Sequence, residues 1–171
     1  YKGLYSAWYC PRCEQFYTEK ELVERNLCPV HLLAVERVEE ENWFFRLSSF
    51  QDALLRHFEE HPEFLTPATR RNEMLNVIRG GLEDISISRA FSDWGFPLPF
   101  DRSQVVYVWF DALLAYLTGV GYADPDDPAT FDRFWPADVH VIGKDITRFH
   151  TIIWPAMLWS AGLEAPRKVW V

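Results

Sequence analysis

At 171 residues the chain has the length of about one domain, enough to bury roughly 70% of its unfolded surface. With 49% hydrophobic and 25% charged residues, and 8 Trp, 7 Tyr and 13 Phe, the composition excludes a disordered chain and favours a packed domain with an aromatic-lined pocket. The net charge of −8, with acids spread along the chain, excludes a module that binds nucleic acid by bulk electrostatics, though not a local contact surface for it.

Residues 1–47 read as short strands and turns around the cysteines. Residues 48–82 read as mostly helical, because Phe50, Leu54, Leu55 and Phe58 follow a helical spacing. Pro62 and Pro67 interrupt this run. A second helix is predicted over about Asn72 to Arg79, ended by Gly80-Gly81. Residues 91–103, with Trp94-Gly95-Phe96-Pro97-Leu98-Pro99, read as loop or irregular strand. The continuous apolar run Val105-Val106-Tyr107-Val108-Trp109-Phe110 predicts a strand buried on both faces of a parallel sheet. Asp111 is then the expected helix N-cap, with helix continuing over 112–118. After a polar loop at 121–128 the unit repeats: strand 139–142, turn Gly143-Lys144-Asp145, helix from about Thr147 to Ala161, a stop at Gly162, and a third strand from Lys168. Alternating β and α elements imply a parallel sheet whose ligands bind at the carboxyl ends of its strands. Here those ends are 109–111 and 143–145.

No apolar stretch approaches the ~20 residues needed to span a membrane, and no secretory signal opens the chain. The 3 Cys all lie in the first thirty residues, which disfavours a secreted disulfide framework and fits a cytosolic protein. The start at Tyr1-Lys2-Gly3 and the strand-like finish at Lys168-Val169-Trp170-Val171 give the expectation of a segment from a longer chain.

Cys10-x-x-Cys13 and Cys28-x-x-His31 supply four N/S ligands from two turns, the pattern of a zinc ribbon. Pro11 and Pro29 each follow a cysteine and stiffen those turns. With all four ligands from protein the site is closed, so the expected Zn2+ is structural. Buried free thiols with a surface histidine, or a redox Cys-x-x-Cys, are the other readings of the same residues.

Gly143-Lys144-Asp145 between a strand and a helix offers close backbone approach, a cation for phosphate, and an acid for an ammonium or hydroxyl. It also fits a plain tight turn. His150 and Trp154 are spaced i, i+4, and Ala112 and Tyr116 share a helical face beside Trp109. Taken singly, these aromatics and the histidine fit a core; clustered at two strand ends they suggest an apolar cavity with a few polar groups. Neither a phosphate-cradling glycine loop nor a nucleophile elbow is present.

Whole strings carry more. Tyr5-Ser6-Ala7-Trp8-Tyr9-Cys10 resembles the Tyr-x-Gly-Trp-Tyr-Cys opening of the zinc insert in bacterial methionyl-tRNA synthetases, a class I aminoacyl-tRNA synthetase family. Glu40-Glu41-Asn42-Trp43-Phe44-Phe45-Arg46-Leu47-Ser48 is similar to that family's Glu-Glu-Asn-Tyr-Phe-Phe-Arg-Leu-Ser. Arg71-Asn72-Glu73, residues 81–89, Trp94-Gly95-Phe96-Pro97, residues 107–113, residues 142–146, Phe149-His150 and residues 154–158 continue the likeness in order along nearly the whole chain. Ala7, Trp43 and Ala115 depart from the family pattern.

The resemblance implies an α/β fold: the second half of a nucleotide-binding, Rossmann-like catalytic domain (residues 104–171) preceded by a zinc knuckle (1–47) and the rest of a connective insert (48–103). It implies ATP-dependent activation of methionine, with Mg2+ accompanying ATP in the full enzyme, and transfer to tRNA(Met). By resemblance Val108, Trp109, Ala112, Leu113, Tyr116, Asp145, His150 and Trp154 line the methionine pocket, and Gly143 and Lys144 lie near the adenylate. Cys10, Cys13, Cys28 and His31 hold the zinc. The family's His-Ile-Gly-His and Lys-Met-Ser-Lys-Ser motifs do not occur in the chain, so no catalytic residue is assigned to it and the isolated chain is expected to be inactive. A free-standing zinc-ribbon module for tRNA or a protein partner is the alternative. A synthetase for another aliphatic amino acid is a third.

Overall fold

A computed structural model describes residues 1–12, 15–17, 19, 22–23, 26–90 and 94–171, with the side chains of Gln15, Phe16 and Pro128 left aside. In chain order the elements are β1 Lys2–Cys10, β2 Gln15–Tyr17, β3 Glu36–Phe45, α1 Gln51–Glu60, β4 Leu65–Thr66, α2 Ala68–Arg79, β5 Ile85–Ser86, β6 Ser88–Ala90, β7 Pro97–Leu98 and β8 Asp101–Val106. Three short helices follow, α3 Val108–Ala112, α4 Ala115–Thr118 and α5 Pro128–Phe134, then β9 His140–Val141, α6 Trp154–Ser160 and β10 Val169–Trp170. The content is mixed α/β. The elements divide into two compact units, residues 1–45 with 86–107 and residues 46–85 with 108–171, which interleave the consecutive segments expected from sequence.

The first unit is antiparallel. β1 pairs with β2 on one side and with β3 on the other, in a register running from Lys2 opposite Trp43 to Tyr9 opposite Glu36. Its strands are longer than the short ones expected for 1–47. The acid run Glu39-Glu40-Glu41 lies within β3, opposite Ser6, Tyr5 and Leu4. Alternation turns Glu39 and Glu41 outward, and Glu41 meets the Lys2 ammonium at 2.9 Å. β8 pairs antiparallel with β6 and β7.

This corrects the parallel strand expected over 105–110. The apolar run is split: Val105 and Val106 end β8, while Val108-Trp109-Phe110 belong to α3. A continuous apolar run has no period that separates buried strand from helix. Val105 is committed by pairing with Arg89, and beyond Tyr107, whose amide bonds to the Ile87 carbonyl at 2.8 Å, no further ladder bond among the described residues continues the strand. Asp111 therefore sits inside α3 and accepts from the Leu114 amide; it is no N-cap. The helix expected over 112–118 is broken between α3 and α4, and α5 occupies the end of what read as a polar loop.

The second unit holds a parallel three-stranded sheet in the order β4-β10-β9. α1 and α2 pack beside it through Leu54, Phe58, Met74, Leu75 and Ile78, all buried. Leu54 and Phe58 come from the helical spacing read in the sequence. Gly81, at φ +98, follows α2 as a residue in the left-handed region, which glycine enters without a Cβ penalty. Gly162, at φ +74, does the same after α6. Between β9 and α6 the chain passes through a 3-10 turn at Lys144–Ile146 and a π-helical turn at Phe149–Ile153. After half-buried Phe149 the π turn is committed to the core: His150, Thr151, Ile152 and Ile153 are buried, and α6 continues with Trp154 to Leu158 buried.

Candidate functional site

Two groups of residues carry chemistry, one in each unit. In the first unit, Cys10 ends β1 and Cys28 opens a turn in which the Leu32 amide donates to the Cys28 carbonyl. His31 lies on that turn. Its Nδ1 is 3.9 Å from Sγ of Cys10 and 3.9 Å from Sγ of Cys28, and the three donor atoms lie within 4.8 Å of one another. Zinc–sulfur and zinc–nitrogen bonds at tetrahedral angles place neighbouring donors roughly 3.6–3.8 Å apart. The set therefore fits a zinc ion with little adjustment. Both thiols are buried, in a small cluster with Tyr17 and Val35 against Trp8 and Leu22. Cys13, the fourth expected ligand, lies outside the described residues.

In the second unit the sheet and the π turn meet around Tyr116. Its hydroxyl is 2.7 Å from Nε2 of His150. The other His150 nitrogen, Nδ1, is 3.0 Å from the carbonyl of Ile146. A carbonyl only accepts, so Nδ1 carries the proton, Nε2 is the acceptor, and the Tyr116 hydroxyl donates to it. Burial lowers the His150 pKa from its ordinary value, which keeps this neutral form. Burial raises that of Tyr116, which keeps its proton.

Rings close around the pair. Tyr116 lies 6.1 Å from Trp154, which is fully buried, and 4.3 Å from His140. Trp135 stands 6.0 Å from Trp154 and 6.3 Å from His140. Burial, with a smaller contribution from nearby His150, lowers the His140 pKa to about 4. The buried Nε1 of Trp154 and Nε2 of His140 have no hydrogen-bond partner among the described residues. A cavity of about 440 Å³ borders Tyr116, Trp135 and His140, and another of about 210 Å³ borders Phe110, Leu114, Leu117 and Trp154.

The other sequence-predicted residues are placed differently. Trp109 is on α3, not at a strand end; it is partly exposed and stacks on Phe149 at 4.5 Å. Leu113 is buried, whereas Val108 and Ala112 are exposed. Lys144 and Asp145 are exposed and form an ion pair with each other. Gly143 follows β9 in extended backbone, φ −77 and ψ 151, so its conformation does not demand glycine. A Cβ there would meet nothing within 4 Å, which leaves open space for a ligand. His140 and Trp135 were not singled out by the sequence, and Phe149 entered only as part of the family likeness; the run His140-Val141-Ile142 before Gly143 offered a signal only for the strand.

Comparison with known proteins decides the family. The family described as tRNA synthetases class I (M) matches residues 28–171. The chain belongs to that family. It is 55% identical over 169 residues to the methionine–tRNA ligase of Caldanaerobacter subterraneus subsp. tengcongensis, covering 99% of this chain and 26% of that protein. It is 52% identical over 172 residues to the methionine–tRNA ligase of Thermotoga maritima, covering 99% of this chain and 27% of the relative. Among solved structures, Mycobacterium tuberculosis methionyl-tRNA synthetase bound by methionyl-adenylate superposes with a TM-score of 0.88 at 47% identity, over 100% of this chain and 34% of that one. The chain thus spans about a quarter to a third of the length of the relatives it matches.

Proposed function

We propose that the chain is the methionine-recognising segment of a methionine–tRNA ligase, an enzyme that activates methionine with ATP and transfers it to tRNA(Met) in the cytoplasm. The observation that carries this reading is the hydrogen-bonded Tyr116–His150 pair set against buried Trp154, inside a chain of this family. On this reading residues 104–171 contribute half of a Rossmann-like catalytic domain, and residues 1–47 and 48–103 form the zinc knuckle and the rest of a connective insert.

Tyr116, His150 and Trp154 form one wall of the methionine pocket, with buried Leu113 and the more exposed Val108, Trp109, Ala112 and Asp145 also lining it. A thioether is polarizable and weakly accepting, and each sulfur–aromatic contact contributes about 0.3–1.5 kcal/mol. Because the Tyr116 proton is held by His150, recognition of the side chain rests first on ring surfaces. Tyr116 becomes a donor to sulfur only when its hydroxyl turns away from His150. Asp145 supplies an acceptor for the substrate ammonium, at the cost of its pairing with Lys144, which is then free for a phosphate oxygen beside the open backbone of Gly143.

Cys10, Cys13, Cys28 and His31 hold a structural zinc, whose bound charge fixes the turns of the knuckle and takes no part in the chemistry. ATP enters as a substrate with Mg2+. Among the described residues no helix is long and apolar enough to cross a membrane. The family match runs to residue 171, far beyond the cysteine cluster, and so supports the synthetase over a free-standing zinc module.

The test is amino-acid-dependent ATP–pyrophosphate exchange by the full-length enzyme that contains this chain. Methionine should support exchange far better than leucine, isoleucine or valine. Preference for another amino acid would overturn the reading.

A further inference from the structure

We infer that His140 is a positioning residue that sets methionine affinity by holding the ring of Tyr116 in place. The inference rests on the methionine reading above and adds a residue to it. Tyr116 is carried on α4, four residues flanked by turns, and an isolated helix that short has no stability of its own. Its side-chain orientation must be set by what packs on it. His140 is the nearest ring, at 4.3 Å and 67°, against 5.5 Å for His150 and 6.1 Å for Trp154.

His140 is also backed by the sheet. It opens β9, stands opposite Val169 in the parallel ladder, and its amide donates to the Lys168 carbonyl at 2.9 Å. His150 accepts the Tyr116 hydroxyl proton and, with Trp154, belongs to the proposed ligand wall, while His140 packs on the Tyr116 ring with its own ring 6.0 Å from that of His150. His140 belongs to the sheet and borders, with Tyr116 and Trp135, the cavity of about 440 Å³. It is only 6% exposed, and its Nε2 is buried without a partner among the described residues. An aliphatic side chain would fill the same volume without leaving a polar atom unsatisfied. What an aliphatic group cannot supply is a flat ring that fixes the plane of another ring, and imidazole is the smallest side chain that does.

The test uses the full-length enzyme and steady-state pyrophosphate exchange. His140→Leu should raise the KM for methionine about tenfold, as loss of a coupling between neighbouring side chains does, with the KM for ATP within about twofold of the parent. His140→Phe, which restores a ring, should return the methionine KM to within about threefold. In a Tyr116→Leu background His140→Leu should add less than about twofold, because its route of action is gone. The inference is overturned if His140→Leu leaves the methionine KM unchanged, if the KM for ATP rises in parallel, if Phe fails to rescue, or if the two Leu substitutions multiply. If Tyr116→Leu by itself leaves the methionine KM unchanged, the methionine reading fails, and the role of His140 with it.

Discussion

The Tyr116 hydroxyl donates to Nε2 of His150 at 2.7 Å, because Nδ1 of that histidine is engaged with the Ile146 carbonyl at 3.0 Å. One backbone carbonyl thus fixes a tautomer, and the tautomer fixes which way the tyrosine proton points. Tyr116→Phe removes that donor and leaves a buried acceptor unpaired. The expected outcome is a methionine KM raised about tenfold, the equivalent of ~1.4 kcal/mol, with little change in the KM for ATP. Exchange kinetics with methionine and ATP varied in turn check this. An equal rise in both constants would remove the pair from the methionine site.

Trp154 and Trp109 separate stability from recognition. Trp154 is 0% exposed, so Trp154→Ala opens a large cavity and should cost about 3–5 kcal/mol of folding stability. Trp109 is 38% exposed and loses chiefly its stack on Phe149, so Trp109→Ala should cost no more than about 0.5–1.5 kcal/mol. Denaturant midpoints of the two variants make the comparison, and methionine KM should nonetheless rise in Trp109→Ala. Equal losses of stability would mean that the two aromatics do the same structural job.

Elemental analysis should find about one zinc per chain, lost in Cys28→Ser. Structural zinc supplies apparent binding free energies of about 10–16 kcal/mol in small domains. Its loss should open the turn at 26–35, seen as faster hydrogen exchange at the Cys28, Leu32 and Val35 amides, while β9 and β10 keep their protection. Metal-free protein with full protection at those amides would show that the donors pack without an ion.

Acid should weaken the second unit in a defined window. The pKa of His57 is lowered to about 4, chiefly by burial and then by neighbouring His61, and that of His140 to about 4 by burial and then by His150. Between those values and the unfolded value of about 6.5 the unfolded chain binds more protons, so stability rises with pH across this range. The contribution is fully present above about pH 6.5 and is lost on descent towards about pH 4. In the first unit Asp101, held at about 2 chiefly by Ser103 and Trp43 hydrogen bonds, acts later: its contribution falls away only below about pH 4. Urea midpoints at pH 7.5, 6 and 5 should fall in that order, and less steeply in His57→Phe. A flat profile from 7.5 to 5 would mean that neither histidine is held neutral by the fold.

The sequence was most legible where one local rule decided the outcome. Leu54 and Phe58 declared a helical face, Gly81 and Gly162 declared helix ends, and the alternation of strand, turn and helix around Gly143 put β9 and β10 in a parallel sheet. Cys10, Cys28 and His31 converge as their spacing suggested. The run 105–110 was not legible in the same way, because its hydrophobicity has no period, and partners at Ser88–Ala90 and Pro97, distant along the chain, chose where the strand stopped. That shift moves Trp109 from a strand end onto a helix and against Phe149. His140 and Trp135 escaped notice for a related reason: each sits alone in its local string, and only long-range packing brings them to Tyr116.

The central claim is that methionine lies against Tyr116, His150 and Trp154. A methionine analogue with a photoreactive diazirine in its side chain, irradiated on the full-length enzyme and mapped by peptide mass spectrometry, tests it directly. The label should fall within residues 108–116 and 146–158 and disappear when methionine is in excess. Labelling elsewhere, or labelling of these residues that methionine does not suppress, would contradict the assignment.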